Sequence, residues 1–317
     1  MAKDTGERNL CLAGGVALNC VANGKLLREG IFDDIWIQPA AGDAGGAVGA
    51  ALAVHHMMNG GERPPPKGKD AMKGAYLGPD FSDDEIEQRL AAAGAVFKIL
   101  DDTDTIDLAA RALADGKAIG WMNGPMEFGP RALGGRSIIA DPRSPTMQKL
   151  LNLKVKYRES FRPFAPSVLR EHVSEWFEMD TDSPYMLLVA DVVDGCRRPM
   201  TDEEKQLFGI EKLNVPRSDI PAITHVDYSA RVQTVHAETN PKYHALISAF
   251  RDLTGCPLVV NTSFNVRGEP IVCTPEDAFR CFMGTELDML VCGNVVLQKA
   301  DQDPALKSNY NFEYELD

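Results

Sequence analysis

AIGWM, residues 118–122, is an uninterrupted apolar run of the kind found in strands that are buried on both faces of a sheet. A helix is predicted over about residues 105–115, ending at Gly116, and Ser144-Pro145 predicts the start of another that continues to Leu153. Further strands are predicted over VFKIL, YMLLVADVV (185–193), RVQTVH (231–236), PLVVN (257–261), LDMLV (287–291) and NVVLQ (294–298). This mixture indicates an α/β or α+β fold around a mixed sheet.

Capping signals place three more helix starts. Ser82 is followed three residues later by Glu85, which is the spacing of a capping box. Pro241 and Pro275 each stand where a first helical turn accepts proline, and Thr274 is placed to cap the second of these helices. We therefore predict helices that begin at these three points.

The N-terminal segment has its own pattern of strand, turn and helix. LCLA (10–13) ends at Gly14-Gly15 and is followed by apolar positions at helical spacing. IWIQP (35–39) precedes an Ala/Gly-rich helix whose small residues predict close packing against a neighbour. Three consecutive prolines in GGERPPPKGK (60–69) cannot continue a helix. We therefore expect two domains, residues 1–66 and 67–317.

Composition narrows the class of protein. The chain has 317 residues, of which 44% are hydrophobic and 25% charged, and these values exclude a disordered, collagen-like or coiled-coil chain. The net charge of −13 disfavours binding to nucleic acid and to anionic membranes. The sequence contains no apolar run long enough for a membrane span and no apolar signal region in MAKDTGERNL. We expect a soluble cytoplasmic protein.

The cysteines and histidines give no metal signature. Seven cysteines form an odd set without a CxxC pair, and most lie in apolar runs, which predicts buried thiols in a reducing compartment. The one close histidine pair, His55 and His56, lacks the spacing of metal ligands on a helix.

Basic residues are concentrated in one part of the chain. Residues 131–170 contain nine Lys and Arg against two acidic residues, which leaves the remaining chain with a net charge of −20. Such a run could be a solvated helix face. Here it is interleaved with Gly, Pro and Phe in GPRALGGRS and RESFRPFAPS, which favours presentation at a site for a small phosphate ligand.

The residues alone allow two interpretations for each of three further motifs. NTSFNVRGEP (261–270) follows an apolar strand, and either lines the mouth of a sheet-based site or forms a plain turn. Gly14-Gly15 either brings backbone N–H groups close to a phosphate or nucleoside, or allows close packing of strand and helix. Asp43 is either a helix cap or a metal ligand.

Several blocks together resemble the carbamoyltransferases of nodulation-factor and antibiotic-tailoring pathways. They are LCLAGGVALNCVANGKLL, QPAAGDAGGAVGAAL, MEFGPRALGGRSI, LNLKVKYRESFRPFAPSVL and NTSFNVRGEPIVCTPEDA, of which GPRALGGRSI and KxRExFRPFAP are specific to that family. The resemblance implies an actin/hexokinase-like domain followed by a YrdC-like domain. It also implies that the C-terminal domain makes carbamoyl-adenylate from carbamoyl phosphate and ATP, and that the N-terminal domain passes the carbamoyl group to a hydroxyl.

The resemblance assigns roles to residues of this chain. It implies that Lys156, Arg162 and Arg231 are catalytic. It further implies that substrate and nucleotide are bound by Arg131, Arg136, Arg158, Asn261, Ser263, Asn265, Arg267, Gly14, Gly15 and Asn19. Mg²⁺ is expected to accompany ATP. Since the sequence shows no His/Ser/Asp constellation for a protein nucleophile, we expect direct attack between bound substrates.

The resemblance is incomplete at the N-terminus. Only about the last 60 residues of the actin-like domain match, without the upstream histidine pair that would share Fe²⁺ or another divalent metal with Asp43. The chain therefore resembles a C-terminal fragment or a truncated reading frame, and its expected partner is a separate N-terminal half or a second copy of itself. The alternative function is a catalytically silent binding or assembly module, with residues 131–170 as an RNA-binding segment.

Overall fold

The computed structural model describes residues 2–63 and 70–307, so the predicted domain boundary at residues 66 and 67 lies outside the described residues. The strands are β1 Asn9–Leu12, β2 Asp34–Ile37, β3 Lys98–Ile99, β4 Ile119–Met122, β5 Arg136–Ala140, β6 Ala165–Leu169, β7 Leu188–Asp191, β8 Ser229–Val235, β9 Leu258–Ser263, β10 Met289–Cys292 and β11 Val295–Gln298. The helices are α1 Ala2–Thr5, α2 Cys20–Arg28, α3 Asp43–Ala53, α4 Asp83–Ala92, α5 Asp102–Ala114, α6 Met147–Lys154, α7 Val173–Trp176, α8 Asp202–Gln206, α9 Gly209–Leu213, α10 Pro241–Thr254 and α11 Pro275–Gly284.

A mixed sheet forms the centre of the molecule. Within the described residues it has nine strands in the order β3-β11-β10-β4-β5-β9-β6-β8-β7, and β1 and β2 form a separate parallel pair. Strand β4 pairs in parallel with β10, and β6 with β8, while the other pairs in the large sheet are antiparallel. The predicted mixed α/β fold is confirmed.

The core surrounds β4 and its neighbours. All four residues of β4 are buried, as its continuous apolar sequence predicts, and the Trp121 ring lies 6.4 Å from that of Tyr243 in α10. Helix α10 packs against α5, and α11 against α4, and both pairs contact the sheet. No helix within residues 2–63 and 70–307 has the length and hydrophobicity needed to cross a membrane.

Local signals predicted several helix starts correctly. The capping box of Ser82 and Glu85 opens α4, and Thr274 forms a second box with Asp277 at the start of α11. Helix α6 differs, because it begins at Met147 and its cap residue, Thr146, has helical dihedrals without a side-chain cap bond. Capping by Ser144 is therefore wrong by two residues.

Two central strands were absent from the sequence prediction. Strand β5 begins with the charged Arg136, and β6 contains Pro166, a residue that is rare inside sheets because it lacks an N–H donor. Both strands are nevertheless fully buried. Strand β7 is shorter than predicted, since Met186 just before it has a φ of 57° and interrupts the extended backbone.

Two predictions about packing are corrected. Cys256, Cys281 and Cys292 are buried thiols as expected, but Cys11 is exposed, and Cys20, Cys196 and Cys273 are partly exposed. The Ala/Gly-rich helix α3, which continues as a π-helical turn over Val54–Met58, buries no residue, so its predicted close packing is wrong. Gly45 is an exception among its small residues, since a Cβ there would lie 2.3 Å from the carbonyl oxygen of Ala40, just before the helix.

Helix α2 makes the close approach instead. A Cβ at Gly24 would lie 2.3 Å from the carbonyl oxygen of Val189 in β7, so only glycine permits this contact. Asn23 donates to the carbonyl of Leu187 at 3.1 Å, and Arg28 to that of Val189 at 3.0 Å. These contacts fix the N-terminal segment against the edge of the large sheet, and the start of α2 then borders a cleft.

Candidate functional site

A cleft of about 390 Å³ lies where the start of α2 meets the large sheet. Its walls come from Cys20 and Val21, the segment 130–132, Arg158, the segment 162–165, Met186, Val189, His225, Arg231 and the end of β9 at residues 261–263. Four of these side chains are arginines, and none of the described lining residues is Asp or Glu. The cleft lining therefore concentrates positive charge, and the one carboxylate paired with it, Glu159 at 3.9 Å from Arg162, is not a lining residue of the described chain.

Arg131 and Arg231 are the most enclosed cations of the cleft. Each has a buried Nε without a hydrogen-bond partner in the described chain. Burial lowers the pKa of Arg131, and burial together with the charge of Arg131 lowers the pKa of Arg231 to about 10. Two desolvated cations that share no carboxylate are unfavourable in the free protein, so the geometry suits an anionic ligand.

Arg158 and Arg162 form the outer cationic wall. Arg158 donates from Nε to Asn152 Oδ1 at 2.7 Å, and its guanidinium lies 5.0 Å from the ring centre of Phe164. Burial, followed by the charge of Arg162, lowers the pKa of Arg158 to about 10. Arg162 is more exposed and lies 3.9 Å from Glu159. Arg158 is thus fixed in direction, while Arg162 is accessible to solvent and to a ligand.

Asn152 shapes the loop that carries both outer arginines. Its side chain is fully buried in α6, and its Nδ2 donates to the carbonyls of Ser160 at 3.1 Å and Arg162 at 2.8 Å. Its Oδ1 accepts from Arg158. Sequence reasoning missed Asn152, although an asparagine directly between the apolar residues Leu151 and Leu153 of a predicted helix was an available signal.

Lys156 lies beside the cleft and not in its lining. Its Nζ is buried and donates to the carbonyl and hydroxyl of Ser263, and to the carbonyl and Oδ1 of Asn265 at 2.9 and 2.8 Å. Burial lowers the pKa of Lys156 to about 7, and the surrounding oxygen acceptors oppose this shift. The position favours a holding role for the end of β9, and the catalytic role stays a prediction.

Asn261 connects the two sides of the cleft. It is 1% exposed, and its Nδ2 donates to the carbonyl of Ala132 at 3.1 Å and to Ser167 and Gln233 at 2.9 Å each. Gln233 in turn donates to the carbonyl of Leu133 at 2.8 Å. This network holds the segment that carries Arg131. The Oδ1 of Asn261 is buried without a donor in the described chain.

Two predicted binding arginines lie elsewhere. Arg136 is fully buried and donates to the carbonyls of Gly124, Gly135, Pro79 and Cys273, an environment that favours a structural role. Arg267 pairs with Glu159 at 3.8 Å and does not line the cleft. Ligand binding by both residues stays a prediction.

The predicted residues of the N-terminal segment also lie outside this cleft. Gly14, with a φ of 94°, precedes a 3-10 turn that begins at Gly15, and Asn19 caps α2 by accepting from the N–H of Ala22 at 3.1 Å. Asp43 is exposed at the start of α3. Across the described ranges, no three His, Cys, Asp or Glu side chains are placed to hold a metal ion. A metal at Asp43, expected only with the upstream residues of a complete actin-like domain, stays a prediction.

The structure thus brings a subset of the predicted site residues together. In the cleft are Arg131, Arg158, Arg162, Arg231, Asn261 and Ser263. Outside its lining are Lys156, Arg136, Asn265, Arg267, Gly14, Gly15, Asn19 and Asp43. His225 lines the cleft and was missed from the sequence, because it is a single histidine in a loop whose distance from the basic stretch is decided by folding.

A second, larger cleft has the opposite charge. Its volume is about 890 Å³, and it lies between β2 and the segment that precedes β7. Six carboxylates line it, from Asp33, Asp34, Asp70, Asp180, Asp182 and Glu238. Phosphate ligands would be repelled there, so size alone does not identify the site.

Family models match both parts of the chain. The model described as carbamoyltransferase C-terminus matches residues 110–299, and the one described as carbamoyltransferase N-terminus matches residues 1–52.

Curated relatives cover nearly the whole chain. The uncharacterized protein sll1178 of Synechocystis is 62% identical over 99% of the chain and 52% of its own length. Nodulation protein NolNO of Sinorhizobium fredii is 45% identical over 95% of the chain and 41% of its own length. Nodulation protein NolO of Bradyrhizobium diazoefficiens is 45% identical over 94% of the chain and 50% of its own length. The chain spans about half the length of the curated relatives it matches.

Two solved structures align more weakly. Full-length HypF in a phosphate- and nucleotide-bound form is 18% identical over 65% of this chain and 22% of that one, with a TM-score of 0.38. P. abyssi Sua5 complexed with L-threonine is 14% identical over 62% of this chain and 48% of that one, also with a TM-score of 0.38. At these TM-scores the alignments carry no argument about ligands. The match to the C-terminal family model covers more than half of the chain and confirms the resemblance seen in its motifs: the chain belongs to the carbamoyltransferase family.

Proposed function

We propose that the arginine-lined cleft binds carbamoyl phosphate and ATP and forms carbamoyl-adenylate, with release of pyrophosphate and phosphate and consumption of one water. The observation that carries this proposal is the pair of buried Nε atoms of Arg131 and Arg231, which have no hydrogen-bond partner among the described residues, in a cleft whose described lining contains no carboxylate. Membership of the carbamoyltransferase family supports carbamoyl chemistry.

Electrostatic repulsion is the main obstacle to this reaction. Carbamoyl phosphate is a dianion, the carbamate formed from it is an anion, and both must be held beside ATP, which is a polyanion. Arg131, Arg158, Arg162 and Arg231 would neutralise these phosphates and stabilise the charge that develops during transfer. By analogy with oxyanion holes, one well-placed donor contributes about 3–4 kcal/mol to the stabilisation of the transition state.

Asn261 matches the carbamoyl group itself. Its Oδ1 is a buried acceptor without a donor in the described chain, and a carbamoyl NH₂ is a donor. The cationic groups around it distinguish the phosphate end of the ligand from the amide end. The cleft therefore offers complementary contacts to both ends of carbamoyl phosphate.

Magnesium would enter with the nucleotide. Because no Asp or Glu is among the described residues of the lining, the cleft has no separate carboxylate site for Mg²⁺. Mg²⁺ commonly keeps several waters and binds through substrate phosphates. The arginines act on the phosphate oxygens that the ion leaves free.

The RNA-binding alternative receives less support. Arg136 and Lys156 are buried, and Arg143, Lys154 and Arg170 pair with carboxylates. These side chains do not form one exposed basic surface, which is the feature that binding to a nucleic-acid backbone requires.

Pyrophosphate exchange tests the proposal. The full chain is incubated with MgATP, labelled pyrophosphate and carbamoyl phosphate, and label entering ATP is measured. We expect exchange that depends on carbamoyl phosphate and is abolished by Arg231→Gln. Lys149→Gln is the matched control, because Lys149 is an exposed cation of the same basic stretch outside the cleft lining. Absence of exchange in the unmodified chain, or its persistence in Arg231→Gln, would overturn the assignment.

A further inference from the structure

His225 lies in a fixed turn at the edge of the cleft. The turn 225–229 precedes β8 and is closed by a bond from the His225 N–H to the carbonyl of Ser229 at 2.8 Å. Tyr228 within it has a φ of 64°, a conformation that L-residues rarely adopt, and its carbonyl accepts from Val192 at 2.8 Å. The imidazole is therefore placed by a rigid backbone and not by a mobile loop.

Hydrogen bonds behind the ring determine which nitrogen carries the proton. Ser229 Oγ donates its one proton to Asp227 Oδ1 at 2.7 Å. Ser229 Oγ must then accept from His225 Nδ1, which lies 3.2 Å away. The proton of the neutral ring is thus on Nδ1, and Nε2 keeps its lone pair and can act as a base.

The charges around His225 keep the ring neutral. Burial lowers the pKa of His225, Asp227 raises it, and Arg231 lowers it again. The other titratable groups that line the cleft are Cys20, Arg131, Arg158 and Arg162. Because the net shift is downward from an ordinary value of 6.5, the imidazole is unprotonated at neutral pH. Asp227, through Ser229, would stabilise the imidazolium that forms when the ring accepts a proton.

Atom balance shows where such a base is needed. In carbamoyl-adenylate, one oxygen joins the carbonyl carbon to the α-phosphorus. When carbamoyl phosphate is split into a carbamoyl group and inorganic phosphate, the phosphate keeps the oxygen that had joined it to that carbon. One water therefore has to add, so the direct attack between bound substrates that the sequence led us to expect does not balance to carbamoyl-adenylate. The water oxygen bonds to the carbamoyl carbon, the bond from that carbon to the phosphate oxygen breaks, and phosphate and carbamate form with release of one proton. A carbamate oxygen then attacks the α-phosphorus of ATP, and pyrophosphate leaves.

We propose that His225 Nε2 is the general base that accepts the proton of this water. The inference rests on the proposed function, and it names a catalytic residue for the first of its two steps. The cleft arginines hold the phosphate as its bond to carbon breaks, and the chain from His225 through Ser229 to Asp227 stabilises the acquired charge. The adenylation step needs no contribution from His225, because carbamate is already a nucleophile.

Supplying carbamate directly separates the two steps. Pyrophosphate exchange is measured with carbamoyl phosphate, and in parallel with freshly dissolved ammonium carbamate. For His225→Gln we expect exchange with carbamoyl phosphate to fall by about a hundredfold or more, the usual size of a general-base contribution. Exchange with carbamate should stay within about twofold of the unmodified chain. Loss of both activities, or retention of both, would overturn the role of His225.

Two further variants and a pH profile refine this test. Asp227→Asn should reduce only the reaction with carbamoyl phosphate, because Asp227 acts behind the ring. His55→Gln, at an exposed histidine of the N-terminal segment, should leave both reactions unchanged. The rate with carbamoyl phosphate should rise with pH through the lowered pKa of His225, and the rate with carbamate should lack this step. If the unmodified chain uses neither substrate, the proposed function itself fails, which is distinguishable from a failure confined to the His225 variant.

Discussion

Arg131, in the segment before β5, and Arg231, in β8, line one cleft, and the charge of Arg131 lowers the pKa of Arg231. Their buried Nε atoms have no acceptor within the described ranges. Like charges in a desolvated place destabilise the free protein, and removal of one should relieve this cost. The same pair should provide much of the binding free energy for an anion.

Arg231→Gln should therefore separate stability from binding. Without ligand, we expect the variant to unfold at the same temperature as the unmodified chain or a higher one. Pyrophosphate at about 100 times its Kd should stabilise the unmodified chain by about 2.7 kcal/mol and the variant hardly at all. Thermal unfolding with and without pyrophosphate measures both effects, with Lys149→Gln as control. A variant that is less stable yet still protected would contradict this account.

Lys156 should give the protein a pH-dependent stability. Its pKa is about 7 in the folded chain against an ordinary 10.5, so the unfolded state binds more protons between these values. The contribution of Lys156 to stability is therefore greatest above pH 10.5 and declines as the pH falls toward 7. Relative to Lys156→Met, the unmodified chain should gain up to about 1.4 kcal/mol per pH unit across this window. Urea unfolding at several pH values measures the difference.

Lys154→Met is the matched control for that experiment. Lys154 is two residues away, exposed, and paired with Glu286 at 3.4 Å. The free energy of unfolding of Lys154→Met should change with pH in parallel to that of the unmodified chain. If Lys156→Met also runs parallel, the oxygen acceptors around Lys156 keep it charged, and the proposed titration is wrong.

Asn152→Ala should increase the mobility of the loop that carries Arg158 and Arg162, while all four arginines of the cleft remain. The variant loses the acceptor of Arg158 and the donor to the carbonyls of Ser160 and Arg162. We expect KM for carbamoyl phosphate to rise by roughly tenfold, because each lost bond to a charged or buried group costs about 1–3 kcal/mol. Steady-state kinetics measure this, with Asn214→Ala, a substitution at the end of α9, as control. Equal effects of the two substitutions would exclude a specific role for Asn152.

Transfer to an acceptor should require more protein than this chain. The proposed activation needs only the cleft, whereas transfer needs further walls that hold a hydroxyl about 3–3.5 Å from the carbamoyl carbon. We expect carbamoyl-phosphate-dependent pyrophosphate exchange but no carbamoylated sugar until a polypeptide corresponding to the N-terminal half of a relative is added. Mass spectrometry of the acceptor measures the product. Transfer by the chain alone, at a rate comparable to exchange, would disprove this division of labour.

Local patterns predicted the elements whose signals lie within a few residues. The apolar run at 118–122 became β4, and the caps at Ser82 and Thr274 opened α4 and α11. Strands β5 and β6 were not predicted, because Arg136 and Pro166 have a low intrinsic preference for a central strand. Such residues occur there only when groups distant in the sequence provide their partners. For Arg136 these partners are backbone carbonyls, including that of Cys273, which is 137 residues further along the chain.

The sequence by itself determined the family, the mixed α/β class and the concentration of cations between residues 131 and 170. Only the tertiary structure decided which of those cations line the cleft. Arg131 and Arg158 face the cleft, whereas Lys156 turns inward to Ser263 and Asn265. His225 joins them from a turn far along the chain. The physical reason is that a charged side chain points toward the partners that offset its desolvation, and these partners come from other strands, whose positions are set by packing of the whole sheet.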